Sequence, residues 1–148
     1  MNERLQLLEQ EFRDLSAKFP EATLPPECFS SMKGEYVDYE SRTMLCVRFP
    51  VERSYLNPMK TMQGGFIAAA FDNVLGPLSY LAAHATCMSL DLNVNYIRPI
   101  LEGDALTITA KVVMRGRSTL HITAEGVNTK GKLIATCTTH MIIMKAEK

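Results

Sequence analysis

The chain has 148 residues, 47% of them apolar and 22% charged, enough for one domain with a real core over residues 1–148. Sixteen Lys and Arg balance sixteen Asp and Glu, which argues against nucleic acid or an anionic membrane as a bulk electrostatic partner. A local cationic patch for a phosphorylated ligand stays open. Cys28, Cys46, Cys87 and Cys137 are far apart and lack paired metal-ligand spacing, so free buried thiols, a reduced cytoplasmic setting and no metal centre are expected.

Met1–Lys18 is charged throughout, unlike a signal peptide. Leu5, Leu8, Phe12, Leu15 and Phe19 recur at helical spacing, which predicts an amphipathic helix over residues 1–20, ended by Pro20 and laid on something larger. Glu21–Ser31, with Pro25–Pro26, reads as a loop. Glu35–Tyr39 and Thr43–Val51 read as strands, and the short Glu40–Arg42 link makes them an antiparallel hairpin.

After a loop over Glu52–Met62 comes a nearly uncharged stretch, expected to be helical over residues 64–84. Phe66, Ala69, Ala70, Val74, Leu78 and Leu81 lie three or four apart, yet Ile67, Phe71, Leu75 and Tyr80 make the opposite face apolar too. A helix apolar all round is buried on most sides. Gly76–Pro77 is expected to kink it or end it early. Asp72, Asn73 and Pro77 interrupt the run, so a membrane span is not expected.

From Cys87 the period changes to two. Leu90, Leu92, Val94 and Tyr96 alternate with Ser89, Asp91, Asn93 and Asn95; the pattern repeats over Leu106–Val112, Leu120–Glu125 and the run Leu133–Lys145. The links Arg98–Gly103, Arg115–Ser118 and Asn128–Lys132 are too short for parallel crossovers, so these strands are antiparallel. Six strands hide a helix apolar all round only by curling about it. The expected class is therefore α+β, a curved antiparallel six-stranded sheet wrapped around a central helix, with an extra N-terminal helix. One such layer leaves the helix partly open, so pairing with a second copy is expected, sheet edge to sheet edge.

The chemistry concentrates before and inside the central helix. Asp72 is the lone acid of an apolar stretch, and such a carboxylate is costly to desolvate unless something uses it. Gly64–Gly65 at the helix start lets backbone amides approach a ligand closely, where the helix dipole favours developing negative charge. His84, His121 and His140 are too scattered to suggest a triad or a metal site. Asp91 and Asn93 read as strand-pairing residues, and Met59 and Met62 as gap-fillers or tunnel lining.

From Gly34 onward the sequence resembles the hotdog-fold acyl-CoA thioesterases, in particular the phenylacetate-type (PaaI-like) branch. The resemblance rests on Asn57–Pro58, Gln63–Gly64–Gly65 and Asp72, on Ser89-x-Asp91-x-Asn93, and on Arg98–Pro99 leading into Gly103–Asp104. Gln63 stands where that branch usually has His. The resemblance implies an acyl-CoA thioesterase that needs no cofactor or metal, coenzyme A being part of the substrate. It implies Asp72 as general base or nucleophile and the Gly64 amide, with Gly65 beside it, as the donor to the thioester oxygen. Such a donor contributes about 10²–10³ in rate. Asn57 would polarise the same oxygen or orient water, and Ser89 would hold water or Asp72.

Each of these residues has a plainer role open to it. Asn57 also reads as an Asn-Pro turn starter, Gly64–Gly65 as a tight loop-to-helix turn, Asp72 as a buried structural acid, and Ser89 as an ordinary strand residue. The resemblance further implies Arg98, Arg115, Arg117 and Ser118 at strand ends as contacts for the coenzyme A phosphates, against solvated turn residues. It also implies a homodimer with a shared active site, and a dimer of dimers. A non-catalytic acyl-CoA-binding domain or a hotdog hydratase or dehydratase are the alternatives.

Overall fold

The structure, a computed structural model, describes residues 2–144. Met1 and residues 145–148, with the Lys145 end of the last expected strand, lie outside the described residues. Helix α1 (Glu3–Lys18) starts on the Asn2 side chain, which accepts from the Leu5 amide at 2.8 Å. It buries Leu8, Phe12 and Leu15. The loop expected over 21–31 instead ends in a short helix, α2 (Glu27–Ser31). Tertiary contact explains it: Phe29 is buried, and the Cys28 thiol donates to Asn73 Oδ1 at 3.3 Å.

Strands β1 (Glu35–Glu40) and β2 (Met44–Pro50) form the expected hairpin. The central helix α3 (Gly64–Ala83) follows, then β3 (Cys87–Tyr96), β4 (Ala105–Arg115), β5 (Thr119–Val127) and β6 (Leu133–Ile143). All pairings are antiparallel, in the order β1-β2-β4-β5-β6-β3. The sheet wraps α3, burying Phe71, Val74, Leu75 and Leu78 against Leu106, Ile108 and Ile122. Gly126 of β5 permits that closeness, because a Cβ there would lie 2.9 Å from Leu106 Cδ1 and 3.3 Å from Phe71 Cζ. By length and composition α3 is apolar enough to cross a bilayer, but 67% of its most apolar window is buried inside the protein.

Of the two outcomes expected at Gly76–Pro77, a kink or an early end, the early end is corrected, since α3 continues to Ala83. Gly76 has no Cβ to clash with the following proline ring, and Pro77 is buried, so packing holds a helix that the local sequence disfavours. Strand β3 also departs from its alternation. A bulge between Ser89 and Asp91 leaves Leu90 out of the ladder and 59% exposed. Ser89 then pairs with buried Met141 and Leu92 with buried Thr139, so both face α3. A regular strand would have turned them to opposite faces.

Candidate active site

Gln63 occupies the N-cap of α3 in an extended conformation, with its own amide donating to Tyr55 O at 2.8 Å. Its side chain makes no capping bond; its carbonyl instead accepts from the Phe66 and Ile67 amides, each at 3.0 Å. The Gly64 and Gly65 amides, the first two of the helix, have no acceptor among the described residues. Tyr96, absent from the sequence-based site, covers this end: its hydroxyl donates to Gly64 O at 2.7 Å. A Cβ at position 64 would lie 3.1 Å from that ring, so a side chain here needs the ring to give by a few tenths of an ångström.

Asn57 serves the turn before the helix. Its Oδ1 accepts from the Met59 and Thr61 amides at 3.0 and 3.1 Å, and its Nδ2 donates to Thr61 Oγ1 at 2.8 Å. The plainer reading of Asn57 thus has its bonds in place, with one Nδ2 hydrogen left over. Asn57, Gly64 and Arg98 line one cavity of about 320 Å³ with Tyr96. The Arg98 guanidinium is exposed and donates to Leu133 O at 2.8 Å.

Asp72 opens elsewhere. It lies eight residues beyond Gly64 on α3, roughly 12 Å along the helix axis. It lines a cavity of about 310 Å³ with Ser89 and Met141 on the sheet side, and the 22–26 segment, which we call the strap, on the other. Tyr80 and Cys28, which the sequence did not single out, line it as well. Asp72 makes no hydrogen bond or ion pair among the described residues. Its side chain is exposed in the single chain, but the cavity walls crowd out enough water to raise its pKa above the usual carboxylate value. The Cys137 thiol is pushed up to about 12, first by burial and then by the charges of Asp72 and Asp91. Ser89 Oγ reaches only Met141 Sδ, at 3.7 Å.

The structure therefore divides the expected site between two cavities, Asn57, Gly64 and Arg98 in one and Asp72 with Ser89 in the other. Arg115, Arg117 and Ser118 join neither. They sit at the β4–β5 turn, where Arg115 donates to Ala83 O at the C-terminal end of α3, at 3.3 Å, and Ser118 O accepts from Ile143 at 2.8 Å. Since α3 has twenty residues, roughly 30 Å separates them from Arg98; one chain does not gather the four into one patch.

The histidines differ from the sequence-based picture. His121 and His140, far apart in sequence, stack at 4.5 Å on adjacent strands, and His140 Nδ1 meets Asp91 Oδ2 at 2.9 Å. No group of three metal-ligating side chains forms among the described residues.

The family profile of the thioesterase superfamily matches residues 59–135, which carry α3 and the strands from β3 into β6. This chain belongs to the thioesterase superfamily. Human acyl-coenzyme A thioesterase 13 is 35% identical over 89 residues, covering 57% of this chain and 62% of that protein, so the match spans less than two thirds of the curated relative. Among solved structures, the phenylacetic acid degradation-related protein of Ralstonia eutropha is 28% identical with a TM-score of 0.75, covering 90% of this chain and 98% of that one. The Escherichia coli PaaI protein superposes with a TM-score of 0.81 over 95% and 97% of the two chains at 18% identity, a likeness of fold alone. The sheet wrapped around α3 is thus the hotdog fold of this superfamily, α1 included in the superposed length.

Proposed function

We propose that the protein is an acyl-CoA thioesterase that splits the thioester of an acyl- or aryl-CoA into free acid and coenzyme A. Superfamily membership and the likeness to human acyl-coenzyme A thioesterase 13 support the reaction class. The observation that carries the reading is Asp72, an unpartnered carboxylate of raised pKa in a cavity with Ser89. As its carboxylate, Asp72 takes a proton from a water that attacks the thioester carbon, or attacks that carbon itself to form an acyl-aspartyl anhydride, which a water then cleaves to the free acid, restoring the carboxylate. Ser89 holds the water. The tetrahedral oxyanion is met by the open Gly64 amide, with Gly65 behind it, and Asn57 turns its remaining Nδ2 hydrogen to the same oxygen. Collapse of that intermediate expels the coenzyme A thiolate, which takes up a proton from solvent.

A thioester carbonyl does not bridge the roughly 12 Å between Gly64 and Asp72 of one helix. The site we propose is therefore composite, with Asp72 from one subunit and the Gly64 amide from its partner. Pairing along β3, whose outer edge is unpaired and carries exposed Met88 and Leu90, brings this about. Dimers that pair again would gather Arg98 with Arg115, Arg117 and Ser118 from other subunits around the coenzyme A phosphates. The reaction as written needs no metal and no organic cofactor.

Thiol release from a panel of acyl-CoAs tests the activity; background rates for every member would remove it. Mixed dimers test the composite site. Asp72→Asn and Gly64→Pro homodimers are each expected to be nearly inactive, while co-expression restores one intact site per heterodimer. If co-expression restores nothing, each subunit works alone and the composite site is wrong.

A further inference from the structure

The glycines inside α3 and β5 differ in what lies over them. A Cβ at Gly64 would lie 3.1 Å from Tyr96, one at Gly65 3.5 Å from Gln63 Oε1, and one at Gly126 2.9 Å from Leu106 Cδ1. A Cβ at Gly76 would meet no atom within 4 Å. Pro77 disfavours a side chain on the residue before it, which accounts for the glycine. It does not account for the unfilled space. Gly76 is only part-exposed, and in packed surroundings neighbouring side chains usually close over a glycine.

That space belongs to the Asp72 cavity. Asp72, Gly76 and Tyr80 follow one another at intervals of four residues, so they share one face of α3, and all three line the cavity of about 310 Å³. Leu24 and Pro26 of the strap line it on one side, and Ser89 and Met141 of the sheet on the other. Asp72 is the one charged residue of that lining. The bare backbone of Gly76 thus forms the floor of a groove that runs from the Asp72 carboxylate to the Tyr80 ring, roughly 12 Å along the helix. A side chain at position 76 would stand across it.

We propose that Gly76 sets the length of the acyl group this protein accepts: the chain leaves the thioester carbon at Asp72, crosses Gly76 and ends against Tyr80. The inference rests on the acyl-CoA reading above and deepens it. With coenzyme A leading away toward Gly64 and Arg98, the Asp72 cavity is left for the acyl group. A glycine inside a helix lowers its stability, and here it keeps the groove open.

A series of non-hydrolysable S-alkyl-CoA thioethers, from methyl to hexadecyl, tests this by calorimetry without relying on turnover. Wild-type affinity is expected to climb by up to about fourfold per buried methylene, until the chain meets Tyr80. Gly76→Leu is expected to bind S-methyl-CoA within about twofold of wild type and S-octyl-CoA about tenfold or more weaker. Gly76→Ala, a gentler neighbour for Pro77, is expected to shift the profile the same way by less. Tyr80→Ala removes the end wall and is expected to extend the climb to longer chains. Thermal unfolding fixes a temperature at which each variant is folded, and a damaged fold does not shift the profile in opposite directions. A profile that both Gly76 variants leave unchanged, or lower evenly at every length, overturns the role of Gly76. An unmoved plateau in Tyr80→Ala overturns the end wall. Thiol release from the matching acyl-CoAs separates the two readings. Release by wild type without these shifts removes the groove and leaves the activity, whereas the shifts without release remove the activity and leave the groove.

Discussion

The two ends of α3 are finished in opposite ways. At the C-terminal end the chain answers its own carbonyls: Lys18 Nζ donates to His84 O at 2.7 Å, and Arg115 Nη2 donates to Ala83 O at 3.3 Å. His84 closes the helix in a left-handed conformation, with φ of 52°. At the N-terminal end two amides have no acceptor, two glycines leave them unshielded, and the N-cap residue offers no side chain to them. Both ends carry the same dipole of opposite sign. One contributes to stability through the chain's own cations, and the other is left open, the arrangement that the proposed reaction needs for its oxyanion.

Substitutions at the two ends break or sharpen that contrast. The largest effect is expected midway, at the proposed base or nucleophile: Asp72→Asn lowers thiol release by about 10²–10⁴, and a loss under about tenfold would refute its catalytic role. Gly64→Pro removes the N-terminal donor with little strain, because Gln63 is already extended, with ψ of 140°, and proline suits the first helical position. Tyr96, an exposed side chain, has room to shift away from the new ring. Thiol release is expected to fall by about 10²–10³ with the melting temperature nearly kept. At the other end, Lys18→Ala, which removes the bond to His84 O, is expected to cost about 0.3–1 kcal/mol of stability while leaving the rate on short acyl-CoAs within about twofold, measured by thermal unfolding and thiol release together. If Gly64→Pro mainly lowers the melting temperature and Lys18→Ala mainly lowers the rate, the contrast is reversed.

Protonation gives subtler readouts. In the proposed reaction Asp72 acts as the carboxylate, and its pKa is raised by loss of solvent. The acid limb of kcat/KM is therefore expected above the ordinary Asp value of about 3.9, with activity lost as pH falls through the raised pKa. Stability runs the other way. A group whose folded pKa is raised favours the fold below its unfolded pKa and loses that contribution as pH climbs through the folded one. Asp72→Asn is thus expected to melt above wild type at pH 7, with the difference closing below about pH 4. A melting difference that grows as the pH falls would contradict the raised pKa.

Much of the fold was legible because the relevant forces are local. The helical spacing of Leu8, Phe12 and Leu15 and the two-residue alternation in β4 and β5 recur in the structure as buried faces. Short links between strands leave antiparallel pairing as the available arrangement. The site was less legible. Asp72 stood out because one acid in an apolar stretch is costly, and Gly64–Gly65 because a double glycine at a helix start is permissive. Tyr96 read as one more alternating strand residue, and nothing near it in sequence announces its bond to Gly64. Ser89 was expected on the face opposite Leu92, until the bulge turned both inward. Asn57 is occupied by its own turn, a plainer use that the Asn-Pro pair had signalled.

The sequence by itself determined the order and type of the main elements, the burial of α3 and the position of its odd acid, because periodicity and desolvation act within a few residues. Tertiary structure alone decided that β3 lies at the sheet edge beside β6 rather than next to β4, since no turn dictates a non-sequential pairing. It also kept Gly76–Pro77 helical, because burial of Pro77 outweighed its local preference. Finally, it divided the candidate site residues between two cavities and left the Tyr36 hydroxyl sealed under α1. Those outcomes depend on how distant surfaces meet in space, which residue order does not encode locally.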